Sequence, residues 1–112
     1  RGEYDFIFDA SSYAKKALAW KGEVPLDEVR MHLGFAIQAL ETVSQEFESS
    51  HIKEIVWPYA EEKGRGPVLW AIRLALSGKE RSPDPFTLMA LLGRDESKRR
   101  LGVAVAKLNE EL

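Results

Sequence analysis

The stretch that most constrains this chain lies between residues 65 and 100, RGPVLWAIRLALSGKERSPDPFTLMALLGRDESKRR. Two short helical patterns meet there at a tight, basic, proline-rich corner. The first covers residues 67–76. Pro67 suits a first helical turn, where its missing N–H is no loss, Leu69, Ile72 and Leu76 share one stripe, and Gly78 lies just beyond as a C-terminal stop. The second begins at the corner formed by Ser82, Pro83, Asp84 and Pro85 and stops at Gly93. Its apolar residues Phe86, Leu88, Met89, Leu91 and Leu92 crowd so few positions that the helix is expected to be buried on most sides. Arg73, Lys79 and Arg81 flank the corner, and the rest of the chain is organised around this pair of helices.

Upstream, residues 2–9 (GEYDFIFD) are expected to form an extended segment in which Phe6 and Phe8 pin the chain to the core. No later stretch alternates with period two to pair with it, so a strand there would leave its backbone groups unsatisfied. Ser11 or Ser12 is placed to cap a helix running to about Trp20, with Tyr13, Ala17 and Trp20 on one stripe and Lys15 and Lys16 facing water. From residue 25 to about residue 47 apolar side chains fall at 26, 29, 33, 37, 40, 43 and 47, a spacing of three or four throughout. That pattern predicts the longest helix, with Asp27 and Glu28 in the first turn, where negative charge suits the helix dipole. Gly34 inside it costs about 1 kcal/mol relative to alanine and therefore points to a close helix contact.

Ser49 or Ser50 then starts a helix carrying Ile52, Ile55, Val56 and Tyr59, in which Pro58 predicts a kink or an early end near Trp57. A last helix opens at Asp95 and Glu96, with Leu101, Val105 and Leu108 inside and Gly102 and Ala104 allowing a close neighbour. The expected class is all-α: a compact, irregular bundle of five to six short helices with an extended N-terminal segment.

At 112 residues and 45% hydrophobic composition the chain fits one domain, residues 1–112, with a real core. It begins at Arg1 rather than Met, which suggests a fragment of a longer protein. No run approaches the roughly 20 apolar residues of a membrane span, so no membrane partner is expected. Cysteine is absent, which removes disulfides and thiolate metal sites and fits a cytoplasmic location. The net charge of −2 is unevenly placed. Residues 1–62 carry 6 Lys and Arg against 12 Asp and Glu, a net −6, whereas residues 63–112 carry 10 against 6, a net +4. A polyanion would prefer the second half. The bland alternative is that Lys98, Arg99, Arg100 and Lys107 merely solvate one helix face.

Catalytic constellations are missing. His32 and His51 lie 19 residues apart without a carboxylate at ligand spacing, so both read as structural or solvent-facing and no metal site is expected. The acidic pairs Asp27/Glu28, Glu61/Glu62 and Glu110/Glu111 are sequence neighbours on different helix faces, unable to work as acid and base on one substrate. Gly78-Lys79 follows a helix instead of opening one, so it is not a phosphate loop. Trp20, Trp57 and Trp70 sit among apolar residues at helical spacing and read first as core. Arg73 stands apart as a lone charge in an apolar run. Its guanidinium must reach water, a carboxylate such as Asp84 or Asp95, or a ligand.

The run GPVLWAIRLALSG, followed by SPDPF, LLG, Asp95-Glu96 and Arg100-Leu101, closely resembles the C-terminal anticodon-binding region of bacterial-type glutamyl-tRNA synthetases, which are class I aminoacyl-tRNA synthetases. The likeness continues more loosely upstream through Trp57-Pro58-Tyr59-Ala60 and Leu18-Ala19-Trp20-Lys21 to the aromatic start, and so covers nearly the whole chain. Ala71 departs from it, because the family often has proline after the tryptophan.

The resemblance implies an RNA-binding helical domain that grips the anticodon loop of glutamate tRNA. A separate catalytic domain of the parent chain, a ligase of protein biosynthesis using ATP and Mg, would charge the 3′ end with glutamate. The His-Ile-Gly-His and Lys-Met-Ser-Lys-Ser signatures of that catalytic domain have no counterpart here, so this chain is expected to hold no cofactor and to be inactive alone. The family pattern carries anticodon contacts onto Arg73, Ser82, Pro83 and Pro85, with an aliphatic residue in many relatives where Pro85 stands. Lys79, Arg81 and Arg94 are the candidates for phosphate contact. This division makes chemical sense, since loop bases are read on exposed edges that Arg73 and Ser82 can reach and proline rings offer flat apolar contact. The alternatives are a freestanding RNA-binding module and a helical protein-interaction domain that uses its acidic first half.

Overall fold

Apolar residues at helical spacing become five α-helices in a computed structural model that describes residues 15–44, 46–79 and 82–109. They are α1 (Leu26–Glu41), α2 (Ser49–Lys63), α3 (Arg65–Ser77), α4 (Pro85–Leu92) and α5 (Arg94–Asn109), preceded by two 3-10 turns at Lys15–Leu18 and Trp20–Gly22. No strand occurs among the described residues, so the all-α class holds. The extended segment at residues 2–9 and the capping serines Ser11 and Ser12 lie outside them.

α3 is the hub, touching all four other helices and both 3-10 turns. Its composition explains the position. Val68, Ala71, Ile72, Leu74, Ala75 and Leu76 are buried, so the helix is apolar around most of its circumference, and its alanines let neighbours approach. Leu18, Leu33, Leu40, Ile52, Leu88, Met89 and Leu101 close around it with no exposed surface. Each such side chain contributes about 1.5–3 kcal/mol by leaving water. That scale accounts for Pro58. The helix α2 continues through it to Lys63, because Ile52 and Val56 before it and Ala60 after it are all buried, which offsets the roughly 3 kcal/mol of an internal proline.

Several local expectations are overturned. The long helix predicted to reach residue 47 ends at Glu41. The Thr42 hydroxyl and backbone N–H both bond to the Ala39 carbonyl, at 2.8 and 3.0 Å, and close the last turn. Arg94 then donates to the Leu40 carbonyl at 3.0 Å, so Val43 is buried without being helical. Within the described residues, the helix expected up to Trp20 is two 3-10 turns, which finish with Lys21 and Gly22 both at positive φ, 56° and 68°. Ala17 is exposed rather than part of an inner stripe. Neither Ser49 nor Ser50 caps α2; Glu48 is the N-cap, with no side-chain bond. Asp84, by contrast, caps α4. That helix buries Phe86, Leu88 and Met89 but leaves Leu91 63% exposed, so it is one-sided rather than enclosed.

The close approaches also fall elsewhere. A Cβ added at Gly34 or Gly102 would meet nothing within 4 Å, whereas one at Gly66 would lie 2.7 Å from the Trp20 ring. Gly66 is the position where the 3-10 segment packs flat on α3. The two histidines are structural, as expected. His32 is buried with Nδ1 2.8 Å from the Tyr59 hydroxyl, and burial lowers its pKa, which favours the neutral ring. His51 Nδ1 bonds to the Glu46 carbonyl at 2.8 Å.

Candidate nucleic-acid interface

The corner is built from the C-terminal end of α3. Gly78 adopts the left-handed conformation at φ 71° and donates its N–H to the Leu74 carbonyl at 2.7 Å, which ends the helix without a side-chain cap. Ser77, fully buried, staples the exit. Its Oγ lies 2.9 Å from the Arg73 carbonyl and 3.1 Å from the Lys79 carbonyl, and it accepts the Lys79 N–H at 3.0 Å. Asp84 fixes the far side of the corner. One carboxylate oxygen accepts the N–H groups of Phe86 and Thr87 at 3.0 and 2.9 Å, and the other accepts the Thr87 hydroxyl at 2.8 Å. Pro85 occupies the first turn of α4, where a proline sacrifices no hydrogen bond.

Arg73 sits between these two supports. It is half-buried, its Nη1 donates to the Ser82 carbonyl at 3.4 Å, and its guanidinium lies 5.5 Å from the centroid of the Trp70 ring. Trp70 is itself held by an Nε1–H bond of 2.8 Å to the Ala17 carbonyl. Among the described residues no carboxylate pairs with Arg73; Asp84 is engaged as a cap and Asp95 is exposed on α5. An exposed cation–π contact is worth about 0.5–1 kcal/mol, and a bond of 3.4 Å is at the weak end of hydrogen-bond geometry. These contacts aim the guanidinium without neutralising it.

The other predicted residues divide. Ser82 and Pro83 are half-buried beside Arg73, and the Ser82 hydroxyl donates to the Pro83 carbonyl at 3.1 Å, leaving its oxygen as an acceptor. Pro85 is buried. Lys79 lies in the α3 exit. Arg81 is outside the described residues. Arg94 is not at the corner: it holds the carbonyls of Leu40 and Val43 and packs 5.2 Å from the Phe47 ring. A phosphate there would have to compete with two carbonyls.

The basic run at 98–100 is largely neutralised within the fold. Lys98 pairs with Glu41, Arg99 with Glu96 at 2.7 Å, and Arg100, only 5% exposed, with Glu96 at 2.7 Å and the Leu76 carbonyl at 2.8 Å. Arg100 therefore does not solvate a helix face. A feature not anticipated from sequence is the groove beside the corner, lined by Lys53 and Trp57 among others, with the Lys53 ammonium 4.8 Å from the Trp57 ring centroid. The guanidinium of Arg65, which does not line the groove, lies 5.7 Å from the same centroid. The Lys53–Trp57 spacing of four on one helix was the available signal. No described helix is long and apolar enough to cross a membrane.

The chain is 28% identical over 106 residues to a glutamate–tRNA ligase of Clostridium acetobutylicum, an alignment covering 92% of this chain and 21% of that protein. It is 34% identical over 108 residues to that of Flavobacterium johnsoniae, covering 93% and 20%, and 34% identical over 86 residues to that of Lachnoclostridium phytofermentans, covering 69% and 18%. The chain thus spans about a fifth of the length of these curated relatives. No solved structure gives a significant match. Residues 2–105 match the family described as anticodon binding domain, and the chain belongs to that family.

Proposed function

We propose that this chain binds the anticodon loop of glutamate tRNA, and that it does so as the anticodon-binding part of a longer glutamate–tRNA ligase. In this reading Arg73, Ser82, Pro83 and Pro85 meet the last two anticodon bases, and Lys79 and Arg81 meet phosphates. The observation that carries it is the state of Arg73: a guanidinium aimed by Trp70 and Ser82, unpaired by any described carboxylate, at a corner whose backbone is locked on both sides. An arginine in that condition offers a planar pair of donors to a base edge at little cost in ordering.

ATP and Mg belong to the ligase reaction of the parent. The described residues contain no group of three or more His, Asp and Glu side chains able to hold a metal ion, so they do not fit that site and no chemical step is assigned to them. Aminoacylation, in this reading, depends on a region other than this chain.

The test is a titration of isotopically labelled protein with a glutamate-tRNA anticodon stem-loop and a base-swapped control, followed by backbone and arginine side-chain NMR. Selective shifts at Arg73 and residues 82–86 are expected with the first loop. If neither loop moves those signals at high concentration, the corner is not an anticodon-reading surface of this chain.

A further inference from the structure

On the reading of the corner as an anticodon-loop surface, we propose that the adjoining groove over Trp57 is a second stacking site, taking the base of an unpaired loop nucleotide next to those met at the corner. The groove runs between the first half of α2 and the start of α4, and Lys53, Trp57, Leu69, Pro85 and Phe86 line it together with Asp84, whose carboxylate is engaged by the Phe86 and Thr87 N–H groups and the Thr87 hydroxyl. Its open volume of about 540 Å³ falls in the roughly 300–1,000 Å³ range of sites that take small molecules. Pro85 and Phe86 follow Ser82 and Pro83 by two to four positions in the chain, so the groove adjoins that side of the corner.

The floor is suited to a base. Trp57 is half-buried, and Phe86 meets it edge-on, with centroids 6.3 Å apart and planes at 63°, so the indole is already held and loses little freedom on binding. Lys53 Nζ lies 4.8 Å and the Arg65 guanidinium 5.7 Å from the ring centroid, and neither forms an ion pair among the described residues. A stacked base gains more from an aromatic face than an exposed ammonium does. A base therefore displaces Lys53, whose flexible stem carries the charge to the adjoining phosphate, while the planar guanidinium of Arg65 stays at the ring. Hydroxyls of Ser49 and Ser50 at the rim supply donors and acceptors for base or ribose edges, and Thr87, which donates its proton to Asp84, adds an acceptor. An apolar protein segment would have to cover the Lys53 ammonium without neutralising it, which disfavours it as the occupant.

The experiment titrates this chain and its Trp57→Leu, Trp57→Phe and Arg73→Ala variants with the anticodon stem-loop, and repeats each titration with the base deleted at every loop position outside the triplet. Binding is read from indole and backbone NMR signals. Trp57→Leu is expected to weaken binding about fivefold to hundredfold, Trp57→Phe much less. One base deletion should weaken the parent chain by a similar factor and have no further effect in Trp57→Leu. If Trp57→Leu binds as tightly as the parent while Arg73→Ala is weakened, the stacking site is overturned and the corner reading stands. If Arg73→Ala is also unaffected, both fall together. Should Trp57→Leu fail to fold, the deletion series on the parent and Trp57→Phe decides, and silence at every position outside the triplet rejects the proposal.

Discussion

Arg100 and Arg73 are both arginines on helices of this fold, and they live in opposite surroundings. Arg100 is enclosed, with a carboxylate on one side of its guanidinium and a helix-end carbonyl on the other, so it ties α5 to the end of α3. Arg73, one turn earlier on α3, rests on an aromatic face and a long bond to one carbonyl. The difference separates structure from function. A cation whose donors are used by the fold holds the fold, and one that the fold merely orients is the one we propose for a ligand. The corner depends on both, because Arg100 anchors the helix end from which Arg73 is presented.

The comparison is tested most severely at Arg100. Replacing it with Met keeps the apolar stem but leaves the Leu76 carbonyl short of a donor and Glu96 with Arg99 alone. We expect a loss of about 2–3 kcal/mol in unfolding free energy, measured by urea denaturation with an unchanged m-value. A change below about 0.5 kcal/mol would mean that the enclosure of Arg100 does not stabilise the fold. Arg73→Ala should show the reverse profile. Affinity for the glutamate-tRNA stem-loop should drop by about 1–3 kcal/mol, an order taken from base-reading arginines, while stability moves by less than about 0.5 kcal/mol. A collapse of folding in Arg73→Ala would place Arg73 with Arg100 as a structural cation.

How much of this was legible in the sequence follows from how local each determinant is. The ends of α3 and α4 were readable because their stop and start chemistry is carried by single residues, Gly78, Asp84, Pro85 and Gly93. The C-terminus of α1 was not, because its apolar period continues to Phe47 while the terminating bonds come from Thr42 and from Arg94, more than 50 positions away. Gly66 and Gly34 show the same limit. Which glycine meets a ring depends on the path of the 3-10 segment over α3, and periodicity carries no information about that path. At the site, Arg73 was conspicuous as a charge in an apolar run, yet its lack of a carboxylate partner among the described residues could be known only once Asp84 was seen to serve as a cap. Arg100 was missed for the opposite reason. It sits in a charged run, and its burial is decided by contact with α3.

Asp84 offers the next test, since it holds the corner's far side without touching Arg73. Asp84→Ala removes two backbone hydrogen bonds at the start of α4 and should cost about 1 kcal/mol of stability. It should also broaden the NMR signals of residues 82–87 more than those of α5. Uniform destabilisation with an unchanged corner would show that Ser77 and Gly78 suffice to fix the loop.

The smallest expected effect concerns pH, and it isolates the enclosed side of the comparison. Hydrogen bonds from Arg99 and then Arg100 lower the Glu96 pKa from 4.5 to about 2. A depressed carboxylate stabilises the folded state fully above its unfolded pKa, and that contribution disappears as pH falls through the folded value. Glu96 is one-third exposed, so solvent screening reduces the gain to about 1 kcal/mol. The parent chain should therefore exceed Glu96→Gln by about that amount at pH 7. The gap should start to close just below pH 5 and vanish only below pH 2, as read from urea midpoints at each pH. Arg73→Ala should keep the same pH-dependent gap, because Arg73 shares no carboxylate with Glu96 among the described residues. If Arg73→Ala narrows the gap instead, the two arginines belong to one electrostatic network, and the division between the cation that holds the fold and the cation proposed to meet RNA has to be redrawn.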